Sequence, residues 1–220
     1  MCGRYTITKQ KKDVESQFNV KIDENIYKTN YNAAPTQILP VITNDQLDRV
    51  NFFKWGLVPY WAKNQKIGNK MINARIETIT EKPAYKQAIQ KRRCMIIADG
   101  YYEWVETPRG KKPYYITMNK NQLFSFAGVW ESWKNNQGKI VKTFSIITQI
   151  AYNEIEHIHH RMPVKLNPKE KLFWLNAETA EQAIKYVKTQ KKYDLKTNEV
   201  STEVNSPDNN YSDLTKPIST

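Results

Sequence analysis

The stretch CMIIADGYYEW, residues 94–104, begins a region in which runs of β-branched and aromatic residues alternate with turn-forming clusters. The runs are, in order, CMIIA, YYEWV, PYYITM, LFSFAGVWES and KIVKTFSIIT. The clusters TPRGKK, NKNQ and KNNQGK, which are rich in glycine, proline and asparagine or in polar residues, separate the later runs. The pattern predicts a β-meander over residues 94–149.

The sequence on either side of this region predicts helices and two further strands. We expect strands at 38–43 and 49–58, and helices at 8–18, 80–93, 169–175 and 180–189. Residues 151–160 are a further helix candidate, and residues 31–37 and 59–71 are predicted loops. With neither a repeat nor a linker in the chain, the sequence predicts a single α+β domain.

Composition indicates a polyanionic partner. The 220 residues include 34 Lys and Arg against 22 Asp and Glu, which gives a net charge of +12. A balance this basic favours nucleic acid, although lysines on solvated faces would serve solubility alone. The polar N-terminus and the absence of any run near the ~20 apolar residues of a membrane span predict a cytoplasmic protein without membrane contact. Two cysteines, Cys2 and Cys94, predict neither a disulfide framework nor a zinc site.

Cys2 could have chemistry that an internal cysteine lacks. Removal of Met1 would leave an α-amine with a pKa near ~7.8 and a thiol with a pKa near ~8.5 on one residue. The pair could condense with an aldehyde to a thiazolidine. It could also act as an N-terminal nucleophile that attacks an acyl carbon, with the amine as base. An incidental cysteine is the third interpretation.

Glu103 lies in an aromatic strand, between Tyr102 and Trp104. Alternation along a strand places the two aromatic residues on one face and Glu103 on the other. A buried carboxyl there would have a raised pKa suited to proton transfer, whereas a solvent-facing position would leave it an ordinary surface acid.

HIHHRMP, residues 157–163, contains all three histidines of the chain, followed by Arg161. The spacing is poor for a metal site on one helical face. A histidine acid or base beside a phosphate-binding arginine fits the basic composition better.

NARIET, residues 73–78, places Asn73, Arg75 and Glu77 at alternate positions. On an extended segment these three side chains would share one face. The amide could orient a nucleophile and the guanidinium could bind phosphate, and the alternative is a salt-bridged strand edge.

These motifs occur in an order that resembles a known family. The chain contains MCGRY, YNAAPTQ, WGLVPYWA, NARIET, CMIIADGYYEW, KPYYI, FAGVWE, FSIIT, HHRMPV and VNSPDN. In this order they resemble the SOS response-associated peptidase (SRAP) family over nearly the whole chain.

The resemblance implies a sensor of abasic sites in single-stranded DNA, in which the cysteine amine and thiol capture the ring-opened deoxyribose as a stable thiazolidine crosslink. It implies a curved, barrel-like antiparallel β-sheet with flanking helices in one domain over residues 1–209. The sequence itself predicts a partly mobile tail over 210–220. A monomer associated with the nucleoid through DNA is expected, with no metal and no cofactor. A weak β-lyase side reaction could accompany crosslinking, because an imine intermediate forms. The alternative functions are an N-terminal-cysteine peptidase or amidohydrolase and a non-covalent reader of modified bases.

The resemblance also implies roles for individual residues. The catalytic set is Cys2 as covalent nucleophile, Asn73 for positioning, Glu103 for proton transfer and His159 acting on the sugar ring oxygen or hydroxyl. The implied DNA contacts are phosphate binding by Arg4, Arg75 and Arg161, backbone contacts from Trp104 and Thr148, and a wedge or stacking surface from Pro35 and Trp61.

Overall fold

The computed structural model describes residues 2–119, 122–189 and 194–218. The strands are β1 (Arg4–Ile7), β2 (Asn30–Ala33), β3 (Ile38–Thr43), β4 (Gln46–Trp55), β5 (Asn73–Arg75), β6 (Arg93–Ala98), β7 (Gly100–Thr107), β8 (Gly110–Met118), β9 (Phe124–Lys134), β10 (Ile140–Ile150), β11 (Arg161–Pro163), β12 (Lys165–Leu166) and β13 (Leu195–Glu199). The helices are α1 (Lys11–Phe18), α2 (Lys86–Lys91), α3 (Asn153–Glu156), α4 (Lys171–Leu175) and α5 (Ala180–Lys188). Short 3-10 helices cover Gln65–Lys70, Pro168–Glu170, Thr202–Asn205 and Ser212–Thr215.

Five strands close into a barrel. The pairing runs β10-β4-β3-β6-β9, and β9 pairs again with β10. The pairs within the ring are antiparallel, except that β10 runs parallel to β4. A long connection separates β4 from β10, so no hairpin fixes their relative direction. The single-domain α+β architecture with a curved, barrel-like sheet is therefore confirmed, with this parallel pair and that of β10 with β5 as exceptions to the antiparallel expectation.

The remaining long strands form a five-stranded antiparallel sheet in the order β13-β8-β7-β1-β2. This sheet brings the start of the chain beside β7, because Arg4 lies opposite Tyr102. Alternation along β7 is as predicted: Tyr101 packs in the main core, while Tyr102 and Trp104 pack in a second apolar cluster.

The meander prediction identified the strands but not their partners. β6 pairs with β9 rather than with β7, and the β7–β8 hairpin joins the other sheet. The chain changes sheets at Asp99 and Gly100, where the Asp99 carboxylate accepts hydrogen bonds from Thr6 and Thr8 of the neighbouring segment. A side chain at Gly100 would put a Cβ only 2.3 Å from the Tyr115 hydroxyl. Glycine at this position therefore leaves room for the Tyr115 side chain where the chain passes from one sheet to the other.

Aromatic side chains fill the barrel. Trp55 stacks on Phe144 with ring centroids 6.2 Å apart, and Tyr5 and Tyr101 both meet Phe126 edge to face. Full burial of each such ring stabilises the fold by roughly 2–3 kcal/mol. Close approach of β9 to its neighbours requires Gly128, since a Cβ there would lie 2.2 Å from Ile96 Cδ1.

Several local predictions were wrong. The helix expected over 80–93 is limited to α2, because a series of turns precedes it from residue 76 onwards. The helix candidate at 151–160 is limited to α3. Part of the loop predicted at 31–37 is strand β2, which is extended by pairing with β1. The loop predicted at 59–71 contains the 3-10 helix Gln65–Lys70.

In the described ranges, no helix is both long and apolar enough to cross a membrane. The turn predicted at 119–122 includes residues 120 and 121, which lie outside the described residues. The tail boundary at 209 and the mobility of 210–220 stay predictions: Leu214 is buried, and residues 219–220 are outside the described range.

Candidate active site

Cys2 is buried two residues before the start of β1, and its backbone carbonyl is held by a hydrogen bond. The side-chain nitrogen Nδ2 of Asn73 donates a hydrogen bond of 2.8 Å to the carbonyl oxygen of Cys2. The Cys2 thiol lies 3.9 Å from the carbonyl oxygen of Arg4. Burial raises the pKa of this thiol well above its ordinary value, and the charge of Glu103 raises it further. The thiol is therefore protonated at neutral pH and needs a base in order to react.

Glu103 is a buried acid near Cys2. Its residue is 3% exposed, which overturns the solvent-facing interpretation. Loss of hydration raises the pKa of its carboxyl to about 7. A group with this pKa is present in both protonation states near neutrality, so it can both donate and accept a proton.

His159 follows α3, and its backbone N–H donates to the carbonyl of Ile155 at 3.1 Å. Its ring nitrogen Nδ1 accepts a hydrogen bond of 2.9 Å from the backbone N–H of Arg161. This bond assigns the ring proton to Nε2. Burial lowers the pKa of His159 to about 4, so the ring is neutral at physiological pH. His160 stacks on it, with ring centroids 4.5 Å apart.

A cleft of about 920 Å³ opens over this region. Its lining residues are Glu103, Trp104, Glu106, Lys111, Glu156, Ile158, His159, His160 and Asn205. The cleft therefore joins the aromatic strand β7 to the histidine segment, two of the four stretches singled out from sequence. Cys2 is buried and close enough to Glu103 for the carboxylate to raise its thiol pKa, and half-buried Asn73 contacts Cys2.

Asn73 reaches Cys2 because β5 is attached to the barrel wall. The strand pairs in parallel with β10, with Asn73 opposite Ile146 and Arg75 opposite Thr148. Turns begin after Arg75, so the expectation that Glu77 continues the same extended face was wrong. Glu77 instead makes a two-pronged ion pair with Arg161.

The three candidate phosphate-binding arginines differ in their surroundings. Arg75 is exposed. Arg4 donates through Nη1 to Asn32 Oδ1 at 3.0 Å and to the Val204 carbonyl at 2.8 Å. Arg161, which is 7% exposed, binds Glu77 through both terminal nitrogens. Their phosphate contacts stay predictions, and Arg75 is the one exposed residue of the three.

The other candidate DNA contacts are spread over separate segments. Thr148 is buried, and its carbonyl accepts from Arg161 Nη2 at 2.8 Å. Trp61 is 50% exposed, and Pro35 is half-buried beside Thr36, whose φ of 75° is unusual for a β-branched residue. Trp104 borders the cleft, whereas Pro35 and Trp61 do not line it.

Sequence reasoning assigned no role to the C-terminal segment, although VNSPDN was among the recognised motifs. Asn32 is buried, and its Nδ2 donates to the carbonyls of Val204, Ser206 and Asn209 at 3.2, 2.8 and 2.9 Å. Trp104 Nε1 donates to Asn205 Oδ1 at 2.7 Å. These bonds hold the segment against β2 and β7 and bring Asn205 to the edge of the cleft.

Within the described ranges, no group of three or more histidine, cysteine, aspartate or glutamate side chains could hold a metal ion.

The chemistry that the arrangement can perform is proton transfer by Glu103, hydrogen-bond donation by the neutral His159, and nucleophilic attack by Cys2.

Comparison with known proteins gives a consistent result. The family model described as SOS response associated peptidase (SRAP) matches residues 1–207. The chain is 39% identical over 220 residues to the abasic site processing protein YoqW of Bacillus subtilis (strain 168), covering 97% of this chain and 98% of that protein. It is 32% identical over 230 residues to the abasic site processing protein HMCES of Gallus gallus, covering 89% of this chain and 68% of that protein.

Solved structures show the same fold. A crystal structure of a protein from Bacteroides thetaiotaomicron superposes with a TM-score of 0.87 at 27% identity, covering 99% of this chain and all (100%) of that one. A phage-related protein from Bordetella bronchiseptica superposes with a TM-score of 0.70 at 26% identity, covering 90% of this chain and 94% of that one.

Proposed function

The chain belongs to the SOS response-associated peptidase family, and we propose on that basis that it processes abasic sites in single-stranded DNA through a covalent crosslink to Cys2. The names of its relatives from Bacillus subtilis and Gallus gallus support abasic-site processing. The observation that carries the covalent step is the burial of Cys2 beside Glu103, with its carbonyl held by Asn73.

The reaction begins once Met1 has been removed. The α-amine of Cys2 attacks the C1′ aldehyde of the ring-opened deoxyribose, and the resulting carbinolamine loses water to form an imine. The Cys2 sulfur then adds to the imine carbon as the thiol proton passes to a base and the imine nitrogen is protonated to a secondary amine. The net change is protein plus DNA minus one water, and the product is a thiazolidine.

Glu103 is the proposed acid and base in these steps. As the neutral acid it protonates the departing hydroxyl of the carbinolamine. As the carboxylate it accepts the thiol proton, which burial otherwise keeps on sulfur. A pKa of about 7 makes both states available at neutral pH. Neutral His159, with its proton on Nε2, is the proposed donor to the sugar ring oxygen or hydroxyl.

DNA binding is the second half of the proposal. The net charge of +12 attracts the phosphate backbone, and exposed Arg75 is the clearest single contact. Trp61 offers an exposed ring for stacking, Trp104 borders the cleft and Pro35 lies in a tight turn. Aromatic stacking combined with phosphate pairing recognises single strands without sequence preference. A monomer acting in the cytoplasm, bound to DNA, completes the proposal.

The test is the intact mass of the protein after incubation with a single-stranded oligonucleotide that carries one abasic site. The starting spectrum reports whether Met1 is present. An adduct equal to protein plus oligonucleotide minus water, absent from Cys2→Ala, supports the proposal. If protein that lacks Met1 gives no adduct, the crosslink is wrong.

Two side activities can be read from the same samples. Strand cleavage at the abasic site would reveal β-lyase chemistry from the imine. Turnover of peptides that depends on Cys2, without any DNA adduct, would favour an N-terminal-cysteine peptidase.

A further inference from the structure

We propose that Glu77 is a positioning residue that holds His159 in its working tautomer by acting through Arg161. The inference rests on the crosslinking function proposed above, in which His159 donates from Nε2. Glu77 itself makes no contact with the reacting atoms in this proposal.

The first link is the pair of hydrogen bonds between Glu77 and Arg161. Arg161 Nη1 donates to Glu77 Oε1 at 2.9 Å, and Nη2 donates to Oε2 at 2.9 Å. Burial is the largest single influence on the pKa of Glu77 and raises it, but the hydrogen bond from Arg161, a backbone hydrogen bond and the charges of Arg161 and Arg75 together hold the pKa below its ordinary value. A two-pronged pair of this kind fixes the plane of the guanidinium as well as its position.

The second link ties the same guanidinium to the barrel. Arg161 Nη2 also donates to the Thr148 carbonyl at 2.8 Å. Thr148 belongs to β10, and Arg161 is the first residue of the three-residue strand β11. The end of so short a strand is weakly held by ladder pairing alone, so the side chain supplies an anchor at this point.

The third link runs from Arg161 to His159. The backbone N–H of Arg161 donates to His159 Nδ1 at 2.9 Å, which leaves Nε2 as the protonated nitrogen. If Glu77 no longer held the guanidinium, the start of β11 would loosen and this bond would weaken. Both tautomers of His159 would then be populated.

The positioning role of Glu77 and direct phosphate binding by Arg161 predict opposite effects on DNA affinity. Glu77 neutralises Arg161, and both terminal nitrogens of the guanidinium are occupied. Removing the Glu77 charge would therefore leave DNA affinity unchanged or higher, while the chemical step slows. Loss of a phosphate contact would instead weaken binding.

The experiment compares Glu77→Gln with Glu77→Asp and with Glu81→Gln, an exposed glutamate that serves as the matched control. In the free protein, long-range proton–nitrogen NMR of the His159 ring reports the tautomer, with His159→Gln used for assignment. On DNA, single-turnover crosslinking is measured over a range of protein concentrations.

For Glu77→Gln we expect a mixture of tautomers and a saturating rate lower by about tenfold or more, with no rise in the half-saturating concentration. Glu77→Asp should recover part of the rate, and Glu81→Gln should match the wild type. An unchanged tautomer, or a normal saturating rate with weaker binding, overturns the proposal. If Glu77→Gln does not fold, Arg161→Lys replaces it, and the His159 tautomer in the free protein decides: an unchanged tautomer overturns the proposal. If the wild type forms no crosslink, the proposed function fails, and the tautomer in the free protein still decides whether Glu77 holds His159.

Discussion

The Asn73 side chain holds the Cys2 backbone through a hydrogen bond of 2.8 Å from Nδ2 to the carbonyl oxygen. The bond connects the wall of the barrel to the residue proposed to react, because β5 is paired with β10. The other end of the amide, Oδ1, is buried without a hydrogen-bond partner among the described residues. An unsatisfied buried oxygen is costly, and the α-amine of Cys2 exposed by loss of Met1 is a donor of the right kind.

Replacing Asn73 with alanine should therefore slow crosslinking without weakening DNA binding. A lost hydrogen bond of about 1 kcal/mol corresponds to roughly a five- to tenfold lower rate. Single-turnover crosslinking at saturating DNA measures the effect, with Asn69→Ala, an exposed asparagine, as control. An equal loss in both variants would contradict a specific role for Asn73.

The crosslinking rate should titrate with Glu103. Because burial raises the pKa of this carboxyl to about 7, the wild-type rate should change slope near that pH. Glu103→Gln removes the proton-transfer group and should lower the rate by about 10²-fold while keeping DNA affinity. A rate profile measured from pH 5 to 9 tests both points, and a variant that kept the wild-type profile would remove Glu103 from the mechanism.

Glu103 should also make stability depend on pH. Its folded pKa of about 7 lies above the ordinary 4.5, so the folded state binds the proton more tightly than the unfolded state. The stabilisation of the neutral carboxyl is complete below about pH 4.5 and is lost as the pH rises through about 7.

The free energy of unfolding of Glu103→Gln, relative to that of the wild type, should therefore rise by on the order of 2 kcal/mol between pH 5 and pH 9. Denaturant unfolding at several pH values measures the difference. Glu106→Gln, at an exposed position on the same strand, should show little pH-dependent change. A gain that is equal at all pH values would mean that burial of the charge is not its cause.

The long strands β3, β4 and β6 to β10 were predictable from sequence, but their pairing was not. Runs of β-branched and aromatic residues between turn clusters identify β6 to β10 because composition is a local property. Whether β6 pairs with β7 or with β9 depends on contacts distant in sequence, such as those of Asp99 with Thr6 and Thr8. Likewise, the end of β5 after Arg75 follows from pairing with β10, which no local pattern encodes.

The same distinction applies to the site. The residue types of Cys2, Glu103 and His159 suggested the chemistry proposed for them, but the pKa of Glu103 required its burial to be known. The ion pair of Glu77 with Arg161 joins residues 84 apart in the sequence, so spacing could not reveal it.

Arg75→Ala should weaken single-strand binding and its dependence on salt. Each neutralised phosphate contributes about 0.7 to the slope of log affinity against log salt for single strands, so one lost contact should reduce the slope by about that amount. Fluorescence anisotropy at several salt concentrations measures it. Arg49→Ala, an exposed arginine beside a cavity that none of the site residues lines, is the matched control. An unchanged slope for Arg75→Ala would show that this arginine does not contact phosphate.

Asn32→Ala should release the C-terminal segment from the site. The buried amide makes three bonds to the carbonyls of Val204, Ser206 and Asn209 and accepts one from Arg4. Leaving these groups unpaired should lower the free energy of unfolding by roughly 2–3 kcal/mol. Hydrogen exchange of residues 202–210 should accelerate more than exchange in the barrel strands, since this one side chain binds three carbonyls of the segment.

The released segment should also affect function. Asn205 lines the cleft through its bond to Trp104, so its loosening should change crosslinking as well as stability. Asn25→Ala, on an exposed loop, controls for loss of an asparagine. Uniform acceleration of exchange across the whole chain would indicate a general loss of stability. It would contradict a specific anchor between Asn32 and the segment that borders the site.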